Sequence, residues 1–163
     1  MKQLWIMRHG EAATQASRDH ERSLAFIAKR QFETVSQQIE KEIARPQVVL
    51  SSDAQRTKET TAFWKQEFGI EEENVSFIPE LYLAESDQIM EVLQSTSLSD
   101  ATERVLLIGH NPGLSVFAMQ LLNQTHQAFQ GFPTGSLMIV DLPITQWKDI
   151  QFNQGIYNTF IQP

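Results

Sequence analysis

The chain has 163 residues, no cysteine, and 20 acidic against 13 basic side chains, for a formal net charge of -7. Such a length suits one domain with its own core better than two. The acidic balance argues against nucleic acid or an anionic membrane as the main partner, and the lack of cysteine excludes disulfides and thiolate metal sites and fits a reducing compartment. No apolar run reaches the length of a signal-peptide core or a membrane span, so the expectation is a single domain over residues 1–163, cytoplasmic and monomeric.

The first apolar run, Leu4-Trp5-Ile6-Met7, reads as a buried strand over residues 2–7. It ends abruptly in Arg8, His9 and Gly10. From Ser23 onward, Leu24, Ile27, Ala28, Phe32, Val35, Ile39 and Ile43 recur at steps of three and four, which lays an apolar stripe on a helix of several turns. A second strand spans residues 47–50. In "LSSDAQRTKETTAFWKQEF" Ser52 and Gln55 have the spacing of a capping box, and Thr60, Phe63, Trp64 and Phe68 form the inward face of the following helix. Arg56 falls in its first turn, where the helix dipole favours negative charge by roughly 0.3–1 kcal/mol. Stability does not ask for a cation there; an anion bound at the same helix end would.

A third strand covers residues 75–78, and a short helix over 86–94 turns Ile89, Val92 and Leu93 inward. The fourth strand, 104–108, runs into "GHNPGLSVFAMQLL", which predicts Asn111 as N-cap, Pro112 as first helical residue, and a face of Leu114, Phe117, Ala118, Leu121 and Leu122. A fifth strand is expected over 136–142. Alternating strands and helices define an α/β class, a three-layer α/β/α sandwich with a mostly parallel central sheet and right-handed crossovers. Strand order is not legible from the pattern.

Three strand exits thus carry Arg8 with His9, Arg56, and His110, at the edge where open α/β sheets keep their ligand sites. Arginine offers a planar donor fork that matches phosphate oxygens. A histidine among cations is held neutral by like charge, leaving one ring nitrogen of His9 free to attack phosphorus while Arg8, Arg56 and His110 neutralise the equatorial oxygens. Gly10 would let the backbone approach the phosphate. No metal is required, and a site built from the four histidines is disfavoured because the two arginines would repel the cation. His20 and His126 have polar neighbours and read as surface or loop residues; Trp5, Trp64 and Trp147 read as packing.

The segments "IMRHGEA", "SSDAQRTKET" and "LLIGHNPGLS" resemble the three signature segments of the histidine phosphatase superfamily, whose fold is phosphoglycerate mutase-like. More narrowly, "DHERSL", "PELY" and "FPTGSLMIVDL" are similar to SixA-type phosphohistidine phosphatases, and the likeness covers nearly the whole chain. The resemblance implies His9 as nucleophile, Arg8 and Arg56 as phosphate-binding arginines, His110 as second histidine and Arg22 as an extra anion contact. Asp53 stands where the family often has proline, Ser23 replaces a common proline, and Ala28 replaces a frequent glycine. Many superfamily members protonate the leaving oxygen with a carboxylic acid. The nearest positional candidate is Glu80, with Glu85 second.

The implied function is removal of phosphate from a phosphorylated histidine of a signalling or phosphotransfer protein, without a cofactor, the partner being a folded domain that presents the histidine. The alternatives are a small-molecule phosphomonoesterase, for instance on sugar phosphates, and a non-catalytic phosphate-binding module. A mutase is less expected, since the chain has little spare length for a lid.

Overall fold

The computed structural model describes residues 1–125 and 129–163; His126 lies outside them. Six strands, β1 (Lys2–Arg8), β2 (Val48–Ser52), β3 (Val75–Ile78), β4 (Arg104–Gly109), β5 (Leu137–Leu142) and β6 (Ile156–Ile161), form one sheet in the order β3-β2-β4-β1-β5-β6. β1, β2, β3 and β4 pair in parallel, whereas β5 is antiparallel to both of its neighbours and so runs against the rest. Four helices, α1 (Ala28–Gln38), α2 (Gln55–Phe68), α3 (Ser86–Ser95) and α4 (Gly113–Leu121), complete the fold.

Strand periodicity divides the core between the two faces of the sheet. In β1, Leu4 and Ile6 join Leu107, Leu93, Leu114 and Phe117 beneath α3 and α4. Trp5 and Met7 point the other way, joining Phe32, Val35 and Trp64 from α1 and α2. Both clusters are dry, with Leu4, Trp5, Ile6 and Met7 each 0% exposed, which makes this an α/β/α sandwich.

Several local expectations are corrected. The first helix begins only at Ala28 and ends at Gln38. Leu24 forms an isolated antiparallel bridge with Ala12, and Ile39 is already extended. Ser52 does not cap α2, whose N-cap is Ala54 without a side-chain bond; the capping box is at α3, where Glu85 and Gln88 exchange the two bonds. At α4 the N-cap is Pro112 and not Asn111. The Asn111 side chain instead donates to Phe132 O at 2.8 Å and accepts from the Ser115 hydroxyl at 2.7 Å, tying α4 to the segment before β5. β6 was not foreseen.

Candidate active site

The order β2-β4-β1 places three adjacent strands at the centre of the sheet, and their C-terminal ends deliver the predicted residues to one place. Arg8, His9, Arg22, Arg56 and His110 line a single cavity of about 230 Å³, together with Glu11, Asp19, Asn111 and Thr134. His9 leaves β1 with its N–H on Gly109 O of neighbouring β4 and its carbonyl accepting from Gly135 N. Both ends of the residue are therefore fixed by backbone. Its ring is also held: Nδ1 lies 2.7 Å from Gly10 O, a contact only a protonated Nδ1 can make as donor. That tautomer leaves the Nε2 lone pair free, and Arg56 Nε donates to it at 3.3 Å.

Arg56 is 2% exposed, an unusual place for a guanidinium without partners. Its Nη1 donates to the Asp19 carbonyl at 2.8 Å and its Nη2 to Asp19 Oδ2 at 3.0 Å. Arg8 Nη1 donates to Phe132 O at 3.0 Å. Arg22 donates through Nε to Asp19 Oδ1 at 3.0 Å and through Nη1 to Ala13 O at 3.2 Å. His110 Nε2 sits 2.7 Å from the Ser52 hydroxyl, which is where the side chain expected to cap α2 is used. The His9 and His110 rings are 5.2 Å apart, and the edge of Tyr82 packs on His110.

Two buried nitrogens on residues that line this cavity, Arg8 Nε and His110 Nδ1, have no hydrogen-bond partner among the described residues. An unpaired buried polar group costs roughly 1–3 kcal/mol, a cost that a bound acceptor within reach of these side chains would offset. Electrostatics agree. Burial, then the charges of Arg56, Arg8 and Arg22, push the His9 pKa down to about 4 against the opposing Gly10 carbonyl. Burial, then His9 and Arg56, lower His110 to about 3, with Asp19 pulling the other way. Burial lowers the Arg8 pKa from its ordinary value, with Glu11 opposing. Asp19 is held well below the carboxylate range, first by the Tyr82 hydroxyl and then by Arg56 and Arg22, against partial desolvation.

Not every predicted residue is brought here. Glu80 is exposed and opens on a separate groove with Gln88 and Glu91, because the 3-10 turn Pro79–Leu81 buries Leu81 and so turns its neighbour outward. Glu85 is committed to capping α3. Gly10 does not line the cavity: a Cβ there would meet the Phe32 ring at 2.6 Å and Ala28 Cβ at 2.9 Å, so the glycine permits close packing on α1. It serves the site through its carbonyl. His20 pairs with Asp53 at 2.9 Å and packs edge-on to Tyr82 outside the cavity. Asp19 and Glu11 were missed. Loop carboxylates read as solvated, and the one available signal for Asp19 was its place in the "DHERSL" segment. Among the described residues, no three His, Asp or Glu side chains group as a metal site, and no helix is long and apolar enough to cross a membrane.

Residues 4–87 match the family model of the histidine phosphatase superfamily, branch 1. The chain belongs to that superfamily. Among related sequences, an uncharacterized chloroplastic protein of Arabidopsis thaliana is 33% identical over 128 residues, 74% of this chain; the chain spans 59% of that relative's length. Among solved structures, a Nakamurella multipartitia protein described as a "putative phosphohistidine phosphatase SixA" superposes with a TM-score of 0.82 at 24% identity, covering 99% of this chain and 96% of its own. The protein histidine phosphatase SixA complexed with tungstate gives 0.76 at 22% identity, covering 98% and 96% respectively. These likenesses bear out the phosphoglycerate mutase-like fold.

Proposed function

We propose that this chain is a metal-independent phosphatase that removes phosphate from a phosphorylated histidine on a signalling or phosphotransfer protein, through a covalent phosphohistidine on His9. The observation that carries it is the convergence of Arg8, Arg22, Arg56 and His110 on one cavity with His9, whose Nδ1 is tied to the Gly10 carbonyl so that Nε2 keeps its lone pair. A phosphoryl group seated in this cavity accepts from the Arg8 guanidinium, from His110 and from the Nε edge of Arg56. With the Nη end of Arg56 kept on Asp19, a phosphate oxygen competes with His9 for the Nε–H and so frees the lone pair. Nε2 then attacks phosphorus in line, the bond from phosphorus to the substrate imidazole breaks, and that nitrogen takes a proton. Water next displaces phosphate from Nε2 and restores neutral His9.

Two features favour a phosphohistidine donor. The cavity, about 230 Å³, is smaller than the ~300–1,000 Å³ typical of sites that enclose a small molecule, so it suits a phosphoryl group whose carrier stays outside. Of the two carboxylates that line it, Asp19 is held ionised and cannot supply a proton. An imidazole leaving group is basic enough to be protonated near neutral pH, while an alkoxide needs a placed acid. One neighbour in fold, overlapping over nearly its full length, is named the protein histidine phosphatase SixA.

The test compares kcat/KM on a phosphohistidine-bearing phosphotransfer domain, a sugar phosphate and an aryl phosphate, repeated with Glu80→Gln. The phosphohistidine substrate should be turned over fastest, and the Glu80→Gln enzyme should match wild type on all three. Equal or faster turnover of the sugar phosphate contradicts the reading.

A further inference from the structure

Arg56 has five N–H donors in a fixed plane, and the chain uses them asymmetrically. Its Nη end is gripped by one residue, Asp19, through both the main-chain carbonyl and Oδ2. Its Nε edge is left facing His9 Nε2. The second carboxylate oxygen of Asp19 holds Arg22 Nε, and the Tyr82 hydroxyl donates to Oδ2. Three segments distant in sequence, the loop after β1, the first turn of α2 and the turn before α3, thus meet on one carboxylate. The 3-10 turn Asp19–Glu21 contains no buried residue, so the arrangement is not a by-product of core packing. Without the carboxylate, two guanidiniums beside an anion site would repel one another whenever the site is empty.

We propose that Asp19 is a positioning residue that aligns Arg56 and Arg22 as one clamp, fixing the Nη end of Arg56 so that its Nε edge meets the phosphoryl oxygens beside His9. The inference rests on the phosphoryl-transfer reading above and assigns this acidic residue a part in it. Asp19 does not contact the transferred group; it acts through the two arginines. The opposite role is physically possible, because a carboxylate on two arginines is also an anion that phosphate has to displace, and the two roles predict opposite signs.

The experiment is calorimetric titration of the wild-type chain, Asp19→Asn, Asp19→Glu and Tyr82→Phe with tungstate, alongside kcat and KM on an aryl phosphate. Asp19→Asn should weaken tungstate binding roughly ten- to a hundredfold, the effect of losing a hydrogen bond to a charged partner, and raise KM more than it lowers kcat. Asp19→Glu should recover part of the affinity, and Tyr82→Phe, which keeps the charge and loses one support, should give a smaller loss. Unchanged or tighter binding by Asp19→Asn overturns the proposal while leaving the phosphatase reading intact. A wild-type chain that binds no tungstate removes both.

Discussion

At His9 the desolvation of a ring that is 6% exposed is the first cause of a pKa near 4, and the three arginines add to it. The sequence shows the arginines but not the burial, so it predicts the neutral ring for the lesser of the two reasons. His110 behaves alike, near 3. In the unfolded chain both would take up a proton below about pH 6.5. Folded, they resist until the pH is far lower, so the stability they contribute is present above pH 6.5 and is lost as pH falls from there toward 4 and 3. Ring nitrogen shifts measured by NMR are therefore expected to show His9 and His110 neutral at pH 5, with His9 in the Nδ1–H form. Rings that titrate near 6.5 would mean that the site is wetter and less cationic than described. Ser52 shows how a correct local pattern can be used otherwise: its spacing to Gln55 fits a cap, yet its hydroxyl partners His110, a long-range contact that no local pattern contains.

Apolar runs located five of the six strands, the little-buried β3 among them, and missed β6. β6 alternates half-buried and exposed positions, with Asn158 and Thr159 in its middle, so it lacks the signal of a buried run. The first helix is shorter than its apolar stripe because Leu24 and Ile39 are apolar for other reasons, a bridge to Ala12 and a buried extended turn. β5 runs against the sheet, which alternation alone could not reveal. At the contact of α4 with the turn before α3, a Cβ on Gly113 would lie 1.8 Å from the Ala84 carbonyl oxygen. Backbone cannot yield there as a flexible side chain would, so Gly113→Ala should cost at least the ~1–3 kcal/mol usual for overpacking. Urea denaturation checks this; an unchanged midpoint would show that the two segments are not in contact. Because Leu83, adjoining Ala84, lines the cavity, the same variant is expected to lower activity as well as stability.

Over the whole molecule, the decisive fact is the strand order. Residues 8, 56 and 110 are far apart along the chain, and only the adjacency of β2, β4 and β1 makes their strand exits neighbours. The sequence revealed which residues lie at exits, because buried strands end sharply; it could not reveal which strands touch. Nor could it show that a chain of net charge -7 gathers Arg8, Arg22 and Arg56 around one cavity and pairs the latter two with Asp19. Everything turns on whether that cavity transfers a phosphoryl group to His9. Rapid quenching of the wild-type chain during turnover of a phosphorus-labelled donor, followed by peptide mapping, measures it directly. An acid-labile phosphoryl adduct on His9 that is absent from His9→Ala is expected; a donor turned over with no adduct, or an adduct that persists in that variant, would contradict transfer to this residue.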